Sequence, residues 1–392
     1  MRVDVVGVAG FGVLLLLAAG CGGSKQSPAA VSTATISTTT TVSRTTTTAP
    51  STGSAVPVGF VPQSFTAISD SDYWVLGSVP CAGGRCTAIA RTTDGGASFS
   101  TIRAPELQNV GAPGGEVTLR FADRDDGYAF VTGAGGVFYA THDGGTSWQR
   151  VGQRSLITFA TGGGYVYAVT AACTPDRCTA LRFERSPVSR DVWTTSAMPF
   201  APASSVLDLS AHGSSVWLLG TRAGQVASRY DVLARSTDAG RTFAVGDGPC
   251  SPDLGGTLAP SSASVVWAVC PTGMMAGAAR STDGGVTFAP LHLQKSIPNS
   301  TRLAPASDDS AMLIINAAGA TPLLTTDAGA RWTPPQTPTG ATSWAWAGFT
   351  DTKTGAALVQ TRYDAAARIE LQQLWRTTDG GSSWSNVRFR SR

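Results

Sequence analysis

From about residue 57 onward the chain is built of short runs, each about four or five residues long, in which apolar and polar positions alternate. Val117-Thr118-Leu119-Arg120-Phe121, Gly127-Tyr128-Ala129-Phe130-Val131, Val137-Phe138-Tyr139-Ala140 and Trp148-Gln149-Arg150-Val151 follow one another in this way. A period of two, broken by Gly, Asp, Ser and Thr, predicts antiparallel strands joined by tight turns. The second run of each group is rich in aromatic residues, as in Tyr73-Trp74-Val75, Tyr165-Val166-Tyr167, Val216-Trp217-Leu218 and Val266-Trp267-Ala268. Only Ala365 to Leu374 admits a helix longer than a turn or two. The pattern predicts an all-β fold with four strands to a unit.

A repeat fixes the size of that unit. Six segments read Ser/Thr-x-Asp-x-Gly-x-x-aromatic, with Asp94, Asp143, Asp238, Asp283, Asp327 and Asp379 followed five residues later by Phe99, Trp148, Phe243, Phe288, Trp332 and Trp384. Four are directly preceded by Arg (Arg91, Arg235, Arg280, Arg376). The aromatic positions step by 49, 45, 44 and 52, with one gap of 95 between Trp148 and Phe243. Midway in that gap Ser186 to Trp193 keeps the Ser and the Trp but has lost the Asp and Gly. Counting it as a seventh copy restores the period, and residues 57–392 then divide into seven units of 48. Six intact copies also admit a six-unit reading. The Asp is expected to accept hydrogen bonds from the amides of its own turn, with the Ser/Thr adding a local bond. The Gly allows a positive φ at the reversal. The aromatic opens the outer strand and packs between sheets.

These segments match the Asp-box, or BNR, motif, and over about 336 residues the chain resembles the sialidase-like β-propellers that carry it. The resemblance implies a seven-bladed propeller, with the six-bladed form as alternative. In such a ring the boxes are spread around one rim and act as structural turns. Its members include sialidases, xyloglucan-type glycosidases, sortilin-like receptors and photosystem II assembly factors, and in style this chain is most similar to the last group and its bacterial relatives. A sialidase would need an Arg-Ile-Pro element, which is absent, and a Tyr activated by Glu. There are only four Glu (Glu106, Glu116, Glu184, Glu370); Glu370 and Tyr363 are near in sequence with nothing to fix them as nucleophile and base. A glycosidase needs two opposed carboxylates, and Asp123, Asp125, Asp126, Asp308 and Asp309 instead fall in expected turns. The resemblance thus favours a non-catalytic binding platform. A carbohydrate-binding or glycoside-hydrolysing propeller is the alternative. In the latter, the aromatics of Ser343-Trp344-Ala345-Trp346-Ala347-Gly348-Phe349, alternating on one side of a strand, would line the ligand surface; inter-blade packing is the other role open to them.

The N-terminus gives the expected address. Val5 to Ala19 is an apolar run of 15 residues, about 22 Å as a helix and short of a membrane span of roughly 30 Å. It reads as a secretory signal. Its end, Leu17-Ala18-Ala19-Gly20-Cys21, resembles a bacterial lipoprotein box, with Ala18 where Leu is preferred. Residues 1–20 are therefore expected to be removed and Cys21 acylated, leaving the protein tethered by lipid alone to the outer face of the plasma membrane. An ordinary cleaved signal followed by a chance Cys is the alternative. Residues 21–56 form a stalk. Val31 to Thr52 has eleven Thr, four Ser and one charge, too little apolar surface to offset its ordering entropy. The propeller is expected to occupy residues 57–392.

Six further cysteines fit an oxidising compartment. Cys81/Cys86 and Cys173/Cys178 each flank a four-residue turn and would staple hairpin tips, leaving Cys250 with Cys270. Neither spacing is that of a zinc or redox site. Three isolated His and a net charge of +3 give no reason to expect a metal, another cofactor or nucleic acid. Charged residues amount to only 14%, and Arg120 with Arg124 and Arg388 with Arg390 are expected to be solvated surface cations, with contact to acidic partners as the other role open to them. An envelope or membrane protein is the expected partner, and a glycan the alternative.

Overall fold

The computed structural model describes residues 53–390 except 83, 106, 108–116, 134–135, 152–154, 175–177, 201–205, 222–229, 252–253, 338 and 365–368. Cys21, the expected signal and the stalk as far as residue 52 lie outside the described residues.

Seven sheets of consecutive antiparallel strands form a seven-bladed β-propeller, and no helix occurs among the described residues. Blade 1 comprises Val61–Ala67, Tyr73–Cys81, Gly84–Thr92 and Ser100–Ile102; blade 2, Val117–Phe121, Gly127–Val131, Phe138–Thr141 and Gln149–Val151. Blade 3 comprises Ser155–Gly162, Tyr165–Cys173, Cys178–Pro187 and Thr194–Ala197; blade 4, Val206–His212, Ser215–Gly220, Val232–Ser236 and Ala244–Asp247. Blade 5 has Thr257–Pro260, Val266–Pro271, Met275–Ser281 and Ala289–Pro290, and Ile297–Pro298 also pairs with its third strand. Blade 6 has Thr301–Pro305, Ala311–Ile315 and Leu323–Thr325, with Thr333 bridging back to Leu324 where a fourth strand would start. Blade 7 comprises Ser343–Phe349, Gly355–Asp364, Ile369–Thr377 and Ser385–Asn386. Blade 3 contains the degenerate Ser186–Trp193 copy, so the count is seven and the six-bladed reading falls. The segment that admitted a helix is strand from Ile369 onward. There, pairing with the long Gly355–Asp364 strand outweighs local helix propensity.

The first strands run side by side around the axis. The second strands are the buried layer: Trp74, Val75, Val166, Tyr167, Val216, Trp267 and Leu313 have no solvent exposure. Core clusters form between neighbouring blades, as where Trp74, Leu76 and Ile89 of blade 1 meet Leu119, Phe121 and Ala129 of blade 2. Trp74 stacks on Phe121 with ring centroids 4.0 Å apart.

One row of paired positions recurs in every blade. The residue before each repeated turn lies opposite the large second-strand residue in four blades as Arg91–Trp74, Arg235–Trp217, Arg280–Trp267 and Arg185–Tyr167. In three of the rows the cation continues to the next blade. Arg185 donates to the Ala239 carbonyl at 2.8 Å, and Arg280 to the Asp308 carbonyl at 2.9 Å. Arg376 of blade 7 donates to the carbonyls of Gly95 and Asp70 in blade 1. The same device therefore joins internal blades and closes the ring. Closure is completed by Phe65 against Trp346 and by Phe389 against Phe60 and Phe99. Residues 53–54 pair with Thr101 on the outer edge of blade 1.

Arg376→Met keeps the aliphatic stem but removes both donors to blade 1. We expect it to lower unfolding stability by about 1–2 kcal/mol, read as a lower urea midpoint. An unchanged midpoint would show that apolar packing alone closes the ring.

Candidate functional site

The two faces of the ring are made of different chemistry. On one, six repeated turns have almost superimposable bonding. The Ser/Thr hydroxyl donates to the Asp carboxylate at 2.7–2.8 Å. It also accepts from the second Gly amide at 2.8–3.0 Å. The carboxylate accepts from the amide four residues on at 2.9–3.0 Å. The amide of the Gly or Ala directly after each Asp donates at 2.8–3.0 Å to a carbonyl of the turn joining the first and second strands of the same blade. Bonding to Thr242 and Ser236 holds the Asp238 carboxyl well below the usual range, and Thr287 and Ser281 do the same for Asp283. Each of Asp94, Asp143, Asp238, Asp283, Asp327 and Asp379 is thus engaged within its own turn. In the degenerate copy, Ser186 Oγ still accepts from the Val192 amide at 2.9 Å.

The aromatics divide. Phe99, Trp332 and Trp384 are buried, whereas Trp148, Trp193, Phe243 and Phe288 are half-buried against blade interfaces. Trp344 and Trp346 do not share a side. A bulge between them sends Trp344 towards Trp375 and Trp384, and Trp346 towards Phe65 of blade 1. Both serve packing, and the expected aromatic stripe does not form.

Sequence reasoning missed the matching turn between first and second strands. Ser69, Asp123, Ser262, Ser307 and Asp351 each accept from an amide three residues on, capping a five-residue turn. The acidic residues Asp123, Asp308 and Asp309 belong to these caps and their neighbours. Asp308 accepts from Ser261 Oγ at 2.7 Å, and Arg124 donates to the buried Asp72 at 2.7 Å between blades 1 and 2. Tyr363 and Glu370 are partners across the blade 7 ladder. Among the described residues no group of three or more His, Cys, Asp or Glu is placed to hold a metal.

His142 stands in the repeated turn of blade 2. Its Nδ1 lies 2.7 Å from Asp126 and its Nε2 3.3 Å from Asp191 of blade 3. Burial opposes its charge, but the bonds to the two carboxylates outweigh it and hold the imidazole pKa above the ordinary value.

The opposite face bears the second-to-third-strand hairpins and all three disulfides: Cys81–Cys86, Cys173–Cys178 and Cys250–Cys270. Blades 4 and 5 expose apolar side chains there: Met274 at 86%, Leu254 and Tyr230 at 47% each, and Met275 at 39%. The hairpin tip is nonetheless pinned. Thr272 donates its amide to Met275, and Asn299 donates to the carbonyls of Met274 and Gly273. Asp231, next to Tyr230, donates its amide to Cys250, whose disulfide leads back to the same hairpin.

No protein-family model matches the chain, and no curated protein matches it. Among solved structures it is similar to YCF48 bound to a D1 peptide (15% identity, TM-score 0.49, covering 83% of this chain and 95% of that one). It is also similar to a GH74 enzyme of Niastella koreensis (12%, TM-score 0.34, 83% and 71%). A puromycin-hydrolyzing peptidase of Mycobacterium tuberculosis gives 11% identity and a TM-score of 0.57, covering 88% of this chain and 57% of that one. The likeness to the peptidase is one of fold alone.

Two outcomes follow from this geometry. Ala328 has a φ of 58° at a place where most copies have Gly. Ala328→Gly should raise stability by about 0.5–1 kcal/mol, the relief of left-handed strain less the added unfolded-state entropy, as a higher urea midpoint. His142 contributes stability that is complete below its unfolded pKa of about 6.5 and is lost as pH rises through the higher folded value. The urea midpoint should accordingly fall between about pH 6 and 8, and His142→Gln should flatten that slope.

Proposed function

We propose that the chain is an exported, non-catalytic propeller, tethered through acylated Cys21 to the outer face of the plasma membrane, that docks a protein of the envelope. The observation that supports this most is the Met274–Met275 hairpin. An exposed but pinned methionine pair, with Tyr230 and Leu254 exposed on the same face, is costly to leave in water and well suited to a protein surface. The carboxylates of the other face support the non-catalytic half, since those of the repeated turns are spent on their own backbone. The disulfides support the export half, because such bonds persist in oxidising compartments.

The test is cross-linking of the full chain in its own envelope, followed by detergent extraction and mass spectrometry. One stoichiometric envelope protein, cross-linked near Met274 and lost in a Met274→Asp, Met275→Asp variant, is expected. Recovery of polysaccharide alone would favour the glycan reading instead. Cys21→Ala should move the protein from the membrane to the soluble fraction; unchanged fractionation would remove the anchor.

A further inference from the structure

The row of paired positions described above is broken once, in blade 2. Ala140 stands before its repeated turn where five other blades have Arg, and the cation appears instead at the axial end of the row, as Arg120 opposite Tyr128. The six positions equivalent to Arg120, each opposite its blade's second-strand residue, are Thr66, Ala160, Ser210, Ala259, Ala304 and Gly348. All six are small. In two blades this side of the first strand is used to bind the next blade: Thr66 Oγ1 accepts from the Phe121 amide at 3.2 Å, and Ser210 Oγ donates to the Leu258 carbonyl at 3.0 Å. Arg120 does neither. It is half-buried, yet no carboxylate or carbonyl of the described residues accepts from its guanidinium. It lies on the side of its strand that faces blade 3, where its partner Tyr128 packs on Phe159.

The seven first strands carry only two other charged residues, Asp208 of blade 4 and Arg302 of blade 6. Burial raises the Asp208 carboxyl, while the bonds from Leu258 and Ser210 and the charge of Arg302 act the other way. Arg302 is two blades away and is the weakest of these influences; the Asp208 carboxylate is met chiefly by the Leu258 amide and the Ser210 hydroxyl. Among the described residues no carboxylate pairs with Arg120, and desolvation lowers its pKa.

The geometry points to Arg120 as an anion site at the first-strand end of the junction between blades 2 and 3, its planar guanidinium donating two parallel hydrogen bonds to a monoanionic carboxylate. A single cation without a carboxylate partner among the described residues favours one negative charge over two. The carboxylate is either a free small acid or the end of a peptide chain. This site does not depend on the docking of an envelope protein at the hairpin face.

The test uses the full chain, with acetate and N-acetyl-triglycine as probes and chloride at equal ionic strength as reference. Calorimetric titration should show saturable binding of at least one probe, and that probe should raise the melting temperature. Arg120→Gln should weaken binding by about tenfold or more, with Arg120→Lys between the two. Because it removes an unmatched cation, Arg120→Gln should melt no lower than the parent in chloride alone. Binding of acetate assigns a free acid, and binding of the tripeptide alone assigns a chain terminus. Absence of saturable binding by either probe, equal binding by Arg120→Gln, or a lower melting temperature of that variant with no probe effect on the parent would overturn the site.

Discussion

Each blade is a meander of consecutive strands, so backbone ladders stabilise the blades separately and leave the ring to be held by contacts between them. Two kinds of contact do this. Apolar side chains interdigitate between facing sheets, with the second-strand aromatics at the centre. Polar groups at the end of the same row then reach over to a carbonyl in the next blade, as Arg185, Arg280, Arg376 and the Trp217 indole do. The cation needs that carbonyl at one place. The repeated turn supplies it at Ala239 and Gly95, and the turn between first and second strands at Asp308 and Asp70, because the bonds within each turn leave its shape little freedom. The turn is thus a rigid acceptor first. Its acidic composition is a consequence of the need to cap free amides.

The division of the two faces follows from this. Turn-face polar groups are largely spent on local backbone, on the neighbouring blade, or on each other as in the Asp126–His142–Asp191 chain. The hairpin face lacks that internal bonding. Its tips project beyond the sheets, and covalent cross-links and the Asn299 contacts hold them. A surface fixed by disulfides and remote side chains can display apolar groups such as Met274 without folding them inward.

Most of the ring was legible from the repeat. Asp and Ser/Thr at fixed spacing encode bonds within eight residues, and the two ends of those bonds are visible together in the chain. The turns between first and second strands were not, because Ser69, Asp123 and Asp351 do the same work with different residues and because blades 3 and 4 replace the cap with Gly-containing turns such as Gly163–Gly164. The Arg row was half legible. The recurrence of Arg before the turn was plain, but its purpose lay one blade away. Two readings failed for reasons of register: a bulge separates Trp344 from Trp346, and strand pairing places Arg120 at the axis, not on a solvated surface.

Register also shows where function is to be sought in a protein of this kind. A residue found in the same place in most blades is explained by the ring, since each blade faces the same packing problem. The position between Ser/Thr and Asp in the repeated turns is Thr in five copies and His only at His142. The first-strand end of the row is small in six blades and cationic only at Arg120. The hairpin tip exposes methionine only in blade 5 among the described residues. Nothing in the closure of a seven-fold ring calls for any of the three. His142 is accounted for by a local ion pair across one blade junction. For half-buried Arg120 and for exposed Met274 with Met275 the described residues offer no polar or apolar partner of that kind. These two places, set apart from what the repeat explains, are where a ligand and a partner are to be sought.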